Sequence, residues 1–247
     1  MGVQGGSITT DIIKNGLVFN MDAANRASTI PSTSTTEVFN TIDTAVSGAF
    51  SADAQYDSST ITPSFAFDGT GDSIVCSNVN SLSFTDGSND LPFSVSVWVY
   101  MVDATKFRPI SKVSSAGYEW LFIFDSSNRL RWRLHGNNNV NKRMGIYSSA
   151  LTSYENQWVN LIGTYNGNET HSGLKMYLNG ASISTTDYSL GTYNGMQNTS
   201  ADVFIGFYQP NSTSSNGNIG PIQIYNRALS ASEVLHNYNA LKGRFGL

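Results

Sequence analysis

The stretch FSVSVWVYM (Phe93–Met101) decides the fold class. Its odd-numbered positions are all large and apolar: Phe93, Val95, Val97, Val99 and Met101. Successive side chains of an extended chain point to opposite faces, so these five share one face and Ser, Trp and Tyr occupy the other. This alternation predicts a β-strand that is buried on one face and at least partly covered on the other.

Downstream of this strand, the sequence predicts a series of hairpins. YEWLFIFDSSNRLRWRLHG (118–136) predicts two strands joined by a turn at 125–128, because leucine and tryptophan alternate with arginine in the second arm. The pair Asn179-Gly180 is typical of a type I′ turn, in which both central residues need a positive φ. Further strands are predicted in four segments: 157–167, 174–184, 201–208 and 219–226.

Upstream, the pattern is weaker. GLVFNMDAAN (16–25) predicts a first strand, and PSFAFDGTGDSIVCS (63–77) predicts two strands around a glycine-rich turn. The polar segment 26–62 predicts a long loop with one edge strand near 38–42. Residues 1–15 read as an N-terminal arm, so the sequence predicts one domain over 16–247 preceded by that arm.

A single helix is predicted near the C-terminus, over about 231–242. Ser230 and Glu233 have the spacing of a capping box, and Leu229 and Val234 have that of a hydrophobic staple. One face is apolar, through Val234, Leu235, Tyr238 and Leu241. A helix this short is marginal alone in water, so we expect its apolar face to pack on the strands.

Composition excludes several classes of protein. Charged residues make up 13% of the 247 residues and the net charge is −4, which argues against a general nucleic-acid binder. The single cysteine, Cys76, excludes an internal disulfide, and we expect it to pack as a small apolar residue. No apolar run approaches the length of a membrane span, and the N-terminus lacks the pattern of a secretory signal, so we expect synthesis in a cytoplasm without membrane insertion.

The ordered series of segments resembles the laminin-G-like branch of the concanavalin A-like jelly rolls. FAFDGTGDSIVCS, FSVSVWVYM, LFIFDSSNRLRWRL, ENQWVNLIGTYNGN, LKMYLNGASIS and IGPIQIYNRALSASEV carry this resemblance over residues 63–235. It implies an all-β fold: a two-sheet antiparallel jelly-roll sandwich with one short C-terminal helix. NYNALKGRFGL and GLVFNMDAAN are also similar to bacteriophage virion proteins that carry this domain.

The resemblance implies binding of glycans or proteins, often with a calcium ion at one rim. Asp68 and Asp72 flank a tight turn and are either turn residues or ligands of Ca²⁺, which needs several converging oxygens. Many members of the family carry acidic residues where this chain has Gly220-Pro221, which counts against calcium here.

Two groups of side chains are candidates for binding. Tyrosines at loop-bearing ends can stack on sugars or pack in the core: Tyr118, Tyr193 and Tyr208. Arginines on one face of a strand are either a solvated sheet surface or a site for an anionic partner or a subunit interface: Arg129, Arg131 and Arg133.

The sequence gives little support for catalysis. Retaining glycoside hydrolysis needs two carboxyl groups roughly 5–5.5 Å apart. The chain has only five glutamates, of which the closest two, Glu155 and Glu169, are 14 residues apart. His135, His171 and His236 are placed in a turn, a loop and the helix, which does not predict one site.

The sequence therefore predicts a non-enzymatic structural protein on a virion surface, as a capsid decoration or a fibre or appendage component that contacts host glycans. Its expected partners are other virion proteins, held through residues 1–14, and further copies of itself, with a trimer as the expected oligomer. The alternatives are a lectin-like carbohydrate-binding adhesin, a glycan-degrading enzyme and a cellular laminin-G-like module.

Overall fold

A computed structural model describes residues 11–29, 36–58, 62–77, 79–136 and 141–247 of the chain. These residues form one α-helix, α1 (Ala231–Leu241), and a series of strands. In chain order the strands are β1 Leu17–Met21, β2 Glu37–Phe39, β3 Ser47–Ser51, β4 Gln55–Asp57, β5 Ser64–Asp68, β6 Ser73–Cys76, β7 Phe93–Met101, β8 Ile110–Ser114, β9 Gly117–Phe124, β10 Arg129–His135, β11 Arg143–Ala150, β12 Trp158–Tyr165, β13 Leu174–Leu178, β14 Ala181–Ser182, β15 Thr185–Leu190, β16 Val203–Ile205, β17 Phe207–Tyr208, β18 Thr213–Ser214 and β19 Asn216–Tyr225.

The strands form two large antiparallel sheets that pack face to face. One sheet has eight strands in the order β14-β13-β12-β7-β19-β5-β4, with β1 also paired to β19. The other has nine strands in the order β15-β11-β10-β9-β8-β16-β6-β3-β2, and β17 and β18 form a separate pair. The predicted all-β, two-sheet jelly-roll sandwich with one short C-terminal helix is thereby confirmed.

The core lies between the sheets, and β7 shows why its sequence decides the fold. All five of its odd-numbered residues are fully buried. The Phe93 ring stacks on Phe84 at 4.1 Å between centroids and meets Trp132 of the facing sheet edge-on at 5.0 Å. Burying one such side chain contributes roughly 1.5–3 kcal/mol, so β7 is a major source of stability.

The turns predicted at 125–128 and at Asn179-Gly180 are both present. β9 and β10 form a hairpin whose turn spans 125–128. Asn179 and Gly180 join β13 to β14 with φ angles of 49° and 80°, as a type I′ turn requires.

The prediction for residues 26–62 is wrong in part. Instead of one edge strand, the described residues of this segment contribute three short strands, β2, β3 and β4. Their small and polar residues give almost no alternation. β3 pairs with β6, β4 pairs with β5, and β2 pairs with β3 at the edge of its sheet. At Gly48 a Cβ atom would lie 2.5 Å from Ile74 Cγ2, so glycine allows β3 to pack closely against the core.

Helix α1 packs on the outer surface of the eight-stranded sheet. Its capping box is present, with Ser230 accepting from the Glu233 amide and Glu233 accepting from the Ser230 amide. The predicted apolar face is partly wrong: Val234 is buried, but Leu235 is 47% exposed. The buried polar residue Asn237 helps to fix the helix, and its Nδ2 donates to the Tyr225 hydroxyl at 2.9 Å.

A 3-10 turn, Lys242–Phe245, extends the helix and completes the cover. It places the Phe245 ring on Trp98 at 4.0 Å and 8° between the planes. We call this surface the covered face; it contains Trp98, Ile162, Tyr177 and Tyr225 beneath α1 and Phe245. No helix among the described residues is long and apolar enough to cross a bilayer.

The described end of the predicted arm lies on the same helix, whereas residues 1–10 lie outside the described residues. The Ile13 amide donates to Asn237 Oδ1 at 2.8 Å, and the Ile13 carbonyl accepts from the Tyr225 hydroxyl at 3.0 Å. The Asp11 carbonyl lies 2.9 Å from His236 Nε2. Residues 11–15 therefore contact the domain rather than projecting from it.

Candidate binding face

The outer surface of the nine-stranded sheet carries most of the predicted binding residues. In β10, Leu130, Trp132 and Leu134 are fully buried in the core, so the alternate arginines project outward. We call this surface the open face, and its residues are Tyr118, Arg129, Arg131, Arg133, Tyr147, Tyr188 and Tyr208.

The three arginines have different surroundings. Asp125, in the β9–β10 turn, forms ion pairs with Arg129 at 2.8 Å and with Arg131 at 2.7 Å. These two guanidinium groups also lie over tyrosine rings, Arg129 over Tyr147 at 4.2 Å and Arg131 over Tyr188 at 5.5 Å. Each such contact stabilises the pair by about 0.5–1 kcal/mol where it is exposed.

Arg133 lies at the centre of the face and has no such acid. It is opposite Leu121 on one side and Gly145 on the other, and it is only 7% exposed. Its Nη2 donates to the Tyr208 hydroxyl at 3.4 Å, which is a long hydrogen bond. Its Nε is buried and has no acceptor among the described residues.

Gly145 makes room for an aromatic ring beside Arg133. A Cβ atom at this position would lie 2.9 Å from Tyr188 Cε1 and 2.7 Å from the Trp132 carbonyl oxygen. Tyr188 pairs with Gly145 across β11 and β15, so its ring lies over the glycine. Burial raises the pKa of Tyr188, while the positive charges of Arg133, Arg131 and Arg143 oppose this rise.

Two of the predicted tyrosines meet on this face. Tyr118 and Tyr208 both pack on a small apolar cluster of Val113, Leu121 and Ile123. The pairing of β8 with β9 passes from Trp120 directly to Tyr118, which leaves a β-bulge at Glu119. The bulge allows Trp120 to enter the core while Tyr118, two residues away, lies on the outer surface.

Tyr193, the third predicted tyrosine, lies elsewhere. Its hydroxyl donates to Asp90 Oδ2 at 2.6 Å, and the Tyr165 hydroxyl donates to the same oxygen at 2.6 Å. Asp90 Oδ1 accepts from the Met196 amide at 2.6 Å. Tyr193 therefore ties the loop before β16 to the domain, beside a cavity of about 300 Å³ lined by Gly87, Ser88 and residues 194–198.

His135 is the last residue of β10 and not part of a turn, which corrects its predicted place. It is 1% exposed, and neither ring nitrogen has a partner among the described residues. Burial lowers the pKa of His135 to about 2, and the charges of Arg133 and Arg143 act in the same direction. His135 is therefore neutral at ordinary pH, and the positive charge here belongs to the arginines.

A second candidate site lies at the turn between β5 and β6, which joins the two sheets. Asp68 and Asp72, the predicted metal ligands, meet Asp53 there, with one oxygen of each within 4.8 Å of the others. Both oxygens of Asp72 already accept backbone amides, from Asp53 at 3.2 Å and from Asp68 at 2.6 Å. Burial raises the pKa of Asp72 to about 6, and the charges of Asp68 and Asp53 add to the rise. Three converging carboxylates fit a hard cation in donor type, although Asp72 also has a clear structural role.

A comparison with protein-family models decides the family. The model for the concanavalin A-like lectin/glucanase superfamily of the laminin-G type matches residues 68–235, which is more than half of the chain. The chain belongs to this superfamily. The predicted resemblance to the laminin-G-like branch of the concanavalin A-like jelly rolls is thereby confirmed. No curated protein matches the chain.

Solved structures with the same fold include toxin binding domains. The binding domain of Paraclostridial mosquitocidal protein 1 is 17% identical with a TM-score of 0.61, and the alignment covers 91% of this chain and 52% of that one. The binding domain of botulinum neurotoxin DC in complex with rat synaptotagmin II is 18% identical with a TM-score of 0.64, at 92% and 52% coverage. At such low identity the likeness shows the fold alone. This chain spans about half the length of these domains.

Within this lectin/glucanase-superfamily fold, four of the five glutamates have structural partners. Glu119 pairs with Lys112 at 3.4 Å in the interior, and Glu155 accepts from the Ala104 amide at 2.9 Å. Glu169 accepts from the Asp90 amide at 3.2 Å, and Glu233 forms the helix cap. These roles separate the glutamates from one another, and none of the four lies on the open face.

The sequence interpretation missed several residues of the open face. β11, β15 and therefore Tyr147 and Tyr188 were not predicted. RMGIYSSA contains an alternation of Met144 and Ile146 with Gly145 and Tyr147 that would have indicated β11. TTDYSL is mostly polar, and its two larger side chains, Tyr188 and Leu190, are too few to indicate β15.

Proposed function

We propose that this chain is a non-enzymatic binding module on a virion surface, as a capsid decoration or a fibre or appendage component, that contacts host-surface glycans through the open face. The observation that carries the proposal is the contrast between the two outer surfaces of the sandwich. One is covered by α1, whereas the other presents half-buried tyrosines beside arginines, the side chains that stack on sugar rings and donate to their oxygens.

Superfamily membership and the toxin binding domains of the same fold support a role in binding rather than catalysis. The virion setting has a different basis: the similarity of GLVFNMDAAN and NYNALKGRFGL to phage virion proteins. A lectin-like adhesin is the second candidate, and it would use the same open face.

A glycan array probed with the full chain tests the binding role. We expect affinities between millimolar and micromolar, and we expect Tyr208→Ala together with Tyr118→Ala to remove binding. Tyr56→Ala, a change of the same kind on the other sheet, is the matched control. Glycan turnover by the wild type, or binding that survives loss of both tyrosines, would contradict the proposal.

Electron microscopy of particles that contain the protein tests the setting. Many copies on the shell would support decoration, and a few copies at a vertex or tail would support the adhesin. Absence from the particle would overturn the virion role. The same reconstruction tests the proposed trimer and the proposed contact of residues 1–14 with neighbouring virion proteins.

A calcium ion at Asp53, Asp68 and Asp72 is part of this proposal. It would relieve the repulsion between carboxylates that contributes to the raised pKa of Asp72. We expect millimolar CaCl₂ to raise the melting temperature at pH 7.5 and equimolar MgCl₂ to raise it less. Asp68→Asn should remove the difference, and an equal response of that variant and the wild type would exclude the site.

A further inference from the structure

Arg133 is a buried cation without a counter-charge. All 18 acidic side chains of the chain lie in its described part, and none of them forms an ion pair with Arg133. Removing a charge from water without a partner is costly, and an uncompensated buried charge in a native protein therefore requires an explanation.

The other cations of low exposure show how this protein normally satisfies such groups. Lys112 pairs with Glu119, Arg227 with Glu233 and Arg244 with Asp22. Arg108, which is also 7% exposed, donates to the backbone carbonyls of Phe107 and Phe124. Arg133 differs from them all, since the side chains that interact with its guanidinium group are neutral tyrosines: Tyr208, whose hydroxyl accepts at a long 3.4 Å, and Tyr188.

The surroundings of Arg133 concentrate positive charge instead of neutralising it. Arg131 lies two residues away on the same face. Burial lowers the pKa of Arg143, and the positive charges of Arg133 and Arg131 lower it further. The Asp125 carboxylate is shared between Arg129 and Arg131 at the far end of the stripe. The centre of the open face thus has the features of an anion-binding site: hydrogen-bond donors converge there in partly dehydrated surroundings.

We propose that Arg133 binds the acidic group, a carboxylate or a sulfate ester, of a saccharide on the open face, with the Tyr208 hydroxyl as a second donor and the Tyr118 and Tyr188 rings beside the sugar. The inference rests on the proposed glycan-binding role and specifies its ligand as an acidic glycan. A guanidinium fork holds a carboxylate or sulfate through two parallel hydrogen bonds, and tyrosine rings cover the apolar face of a sugar.

The experiment measures binding to the full chain by NMR titration with probes matched in pairs. Glucuronate is compared with glucose, because the two sugars differ only in the carboxylate. Sialyllactose is compared with lactose, which lacks the terminal acidic sugar. Inorganic sulfate is the third probe. The variants are Arg133→Met and Arg133→Lys, with Lys175→Met, an exposed cation of the eight-stranded sheet, as the control for loss of one positive charge.

We expect each acidic saccharide to bind at least 10-fold more tightly than its neutral match. Arg133→Met should weaken that binding roughly 10- to 100-fold, as loss of hydrogen bonds to a charged group predicts. Arg133→Lys should give an intermediate loss, because lysine keeps the charge without the fork. Lys175→Met should bind like the wild type. If Arg133→Met does not fold, Arg133→Lys still decides the question.

The outcomes separate this inference from the proposed function. Equal binding of acidic and neutral saccharides, unchanged by Arg133→Lys, would overturn the acidic ligand and leave the glycan role standing. Sulfate binding that depends on Arg133, without any saccharide binding, would keep the anion site and overturn the glycan role. No binding of any probe would overturn both.

Discussion

The covered face and the open face use similar residues in opposite ways. On the covered face, rings stack in parallel: Trp98 stacks with Phe245 at 4.0 Å and with Tyr238 at 5.7 Å between ring centroids. On the open face, rings contact guanidinium groups, and Arg133 has no acidic partner among the described residues. The first arrangement stabilises the fold, whereas the second retains an unneutralised charge at a cost in stability.

The largest difference between the faces should appear when an aromatic ring is removed from each. Trp98→Ala should lower the free energy of unfolding by about 3–5 kcal/mol, because it leaves a cavity beneath the helix. Tyr147→Ala on the open face should lower it by less than about 1.5 kcal/mol, since that ring is half-exposed. Urea denaturation measures both values. Equal losses would show that the two faces do not differ in this way.

A second test concerns charge within the nine-stranded sheet. Lys112 and Glu119 are both fully buried, and Glu119 Oε1 also accepts from the Thr199 amide at 2.7 Å. Lys112→Met should lower the free energy of unfolding by about 3 kcal/mol, because a buried carboxylate then lacks its partner. Adding Glu119→Gln should recover part of the loss. A double variant less stable than the single one would contradict this account.

A third test uses pH to act on the cap of the helix that lies on the covered face. The Arg227 side chain lowers the pKa of Glu233 to about 2 from its ordinary 4.5, and bonds from Ser230 contribute. Because the folded pKa is depressed, the stabilisation is complete above about pH 5 and is lost as the pH falls towards 2.

Glu233→Gln should therefore lower the free energy of unfolding by about 1 kcal/mol at pH 7, a value that allows for solvent screening of a partly exposed pair. The difference from the wild type should vanish near pH 2. Thermal denaturation at several pH values measures it. A difference that stays constant with pH would show that the carboxylate charge does not contribute.

The smallest expected effect has the opposite sign. Arg133→Met keeps an unbranched apolar side chain and removes an unpaired charge, so the free energy of unfolding should stay level or rise by up to about 1 kcal/mol. The same denaturation experiment reports it. A loss of more than about 2 kcal/mol would mean that Arg133 is a structural residue, in contrast to our reading of the open face.

Much of the fold could be predicted because several segments carry strong local signals. β7 alternates over nine residues, Asn179-Gly180 fixes a turn, and Ser230 with Glu233 fixes the start of α1. The three short strands between residues 37 and 57 could not be predicted in the same way. Their sequences hardly alternate, and strands of three to five residues are too short to show a period of two.

The candidate site was predictable only in part for a related reason. The arginine stripe is visible in β10, because a period of two also governs a strand's outer face. The sequence pattern does not show that Arg133 is the arginine without an acidic partner. That depends on the turn between β9 and β10, which brings Asp125 to Arg129 and Arg131. The position of Tyr118 depends on the bulge at Glu119, which no residue pattern in the sequence indicates.

The packing of Trp98 against Phe245 has an optical consequence. Trp120 and Trp132 lie in the core, while Trp98 and Trp158 both contact Phe245, the latter at 4.8 Å. All four tryptophans of the chain are thus in the interior or on the helix side. The tryptophan emission spectrum should therefore change when the helix undocks and stay the same when a ligand binds the opposite surface. On that surface the chromophores are tyrosines.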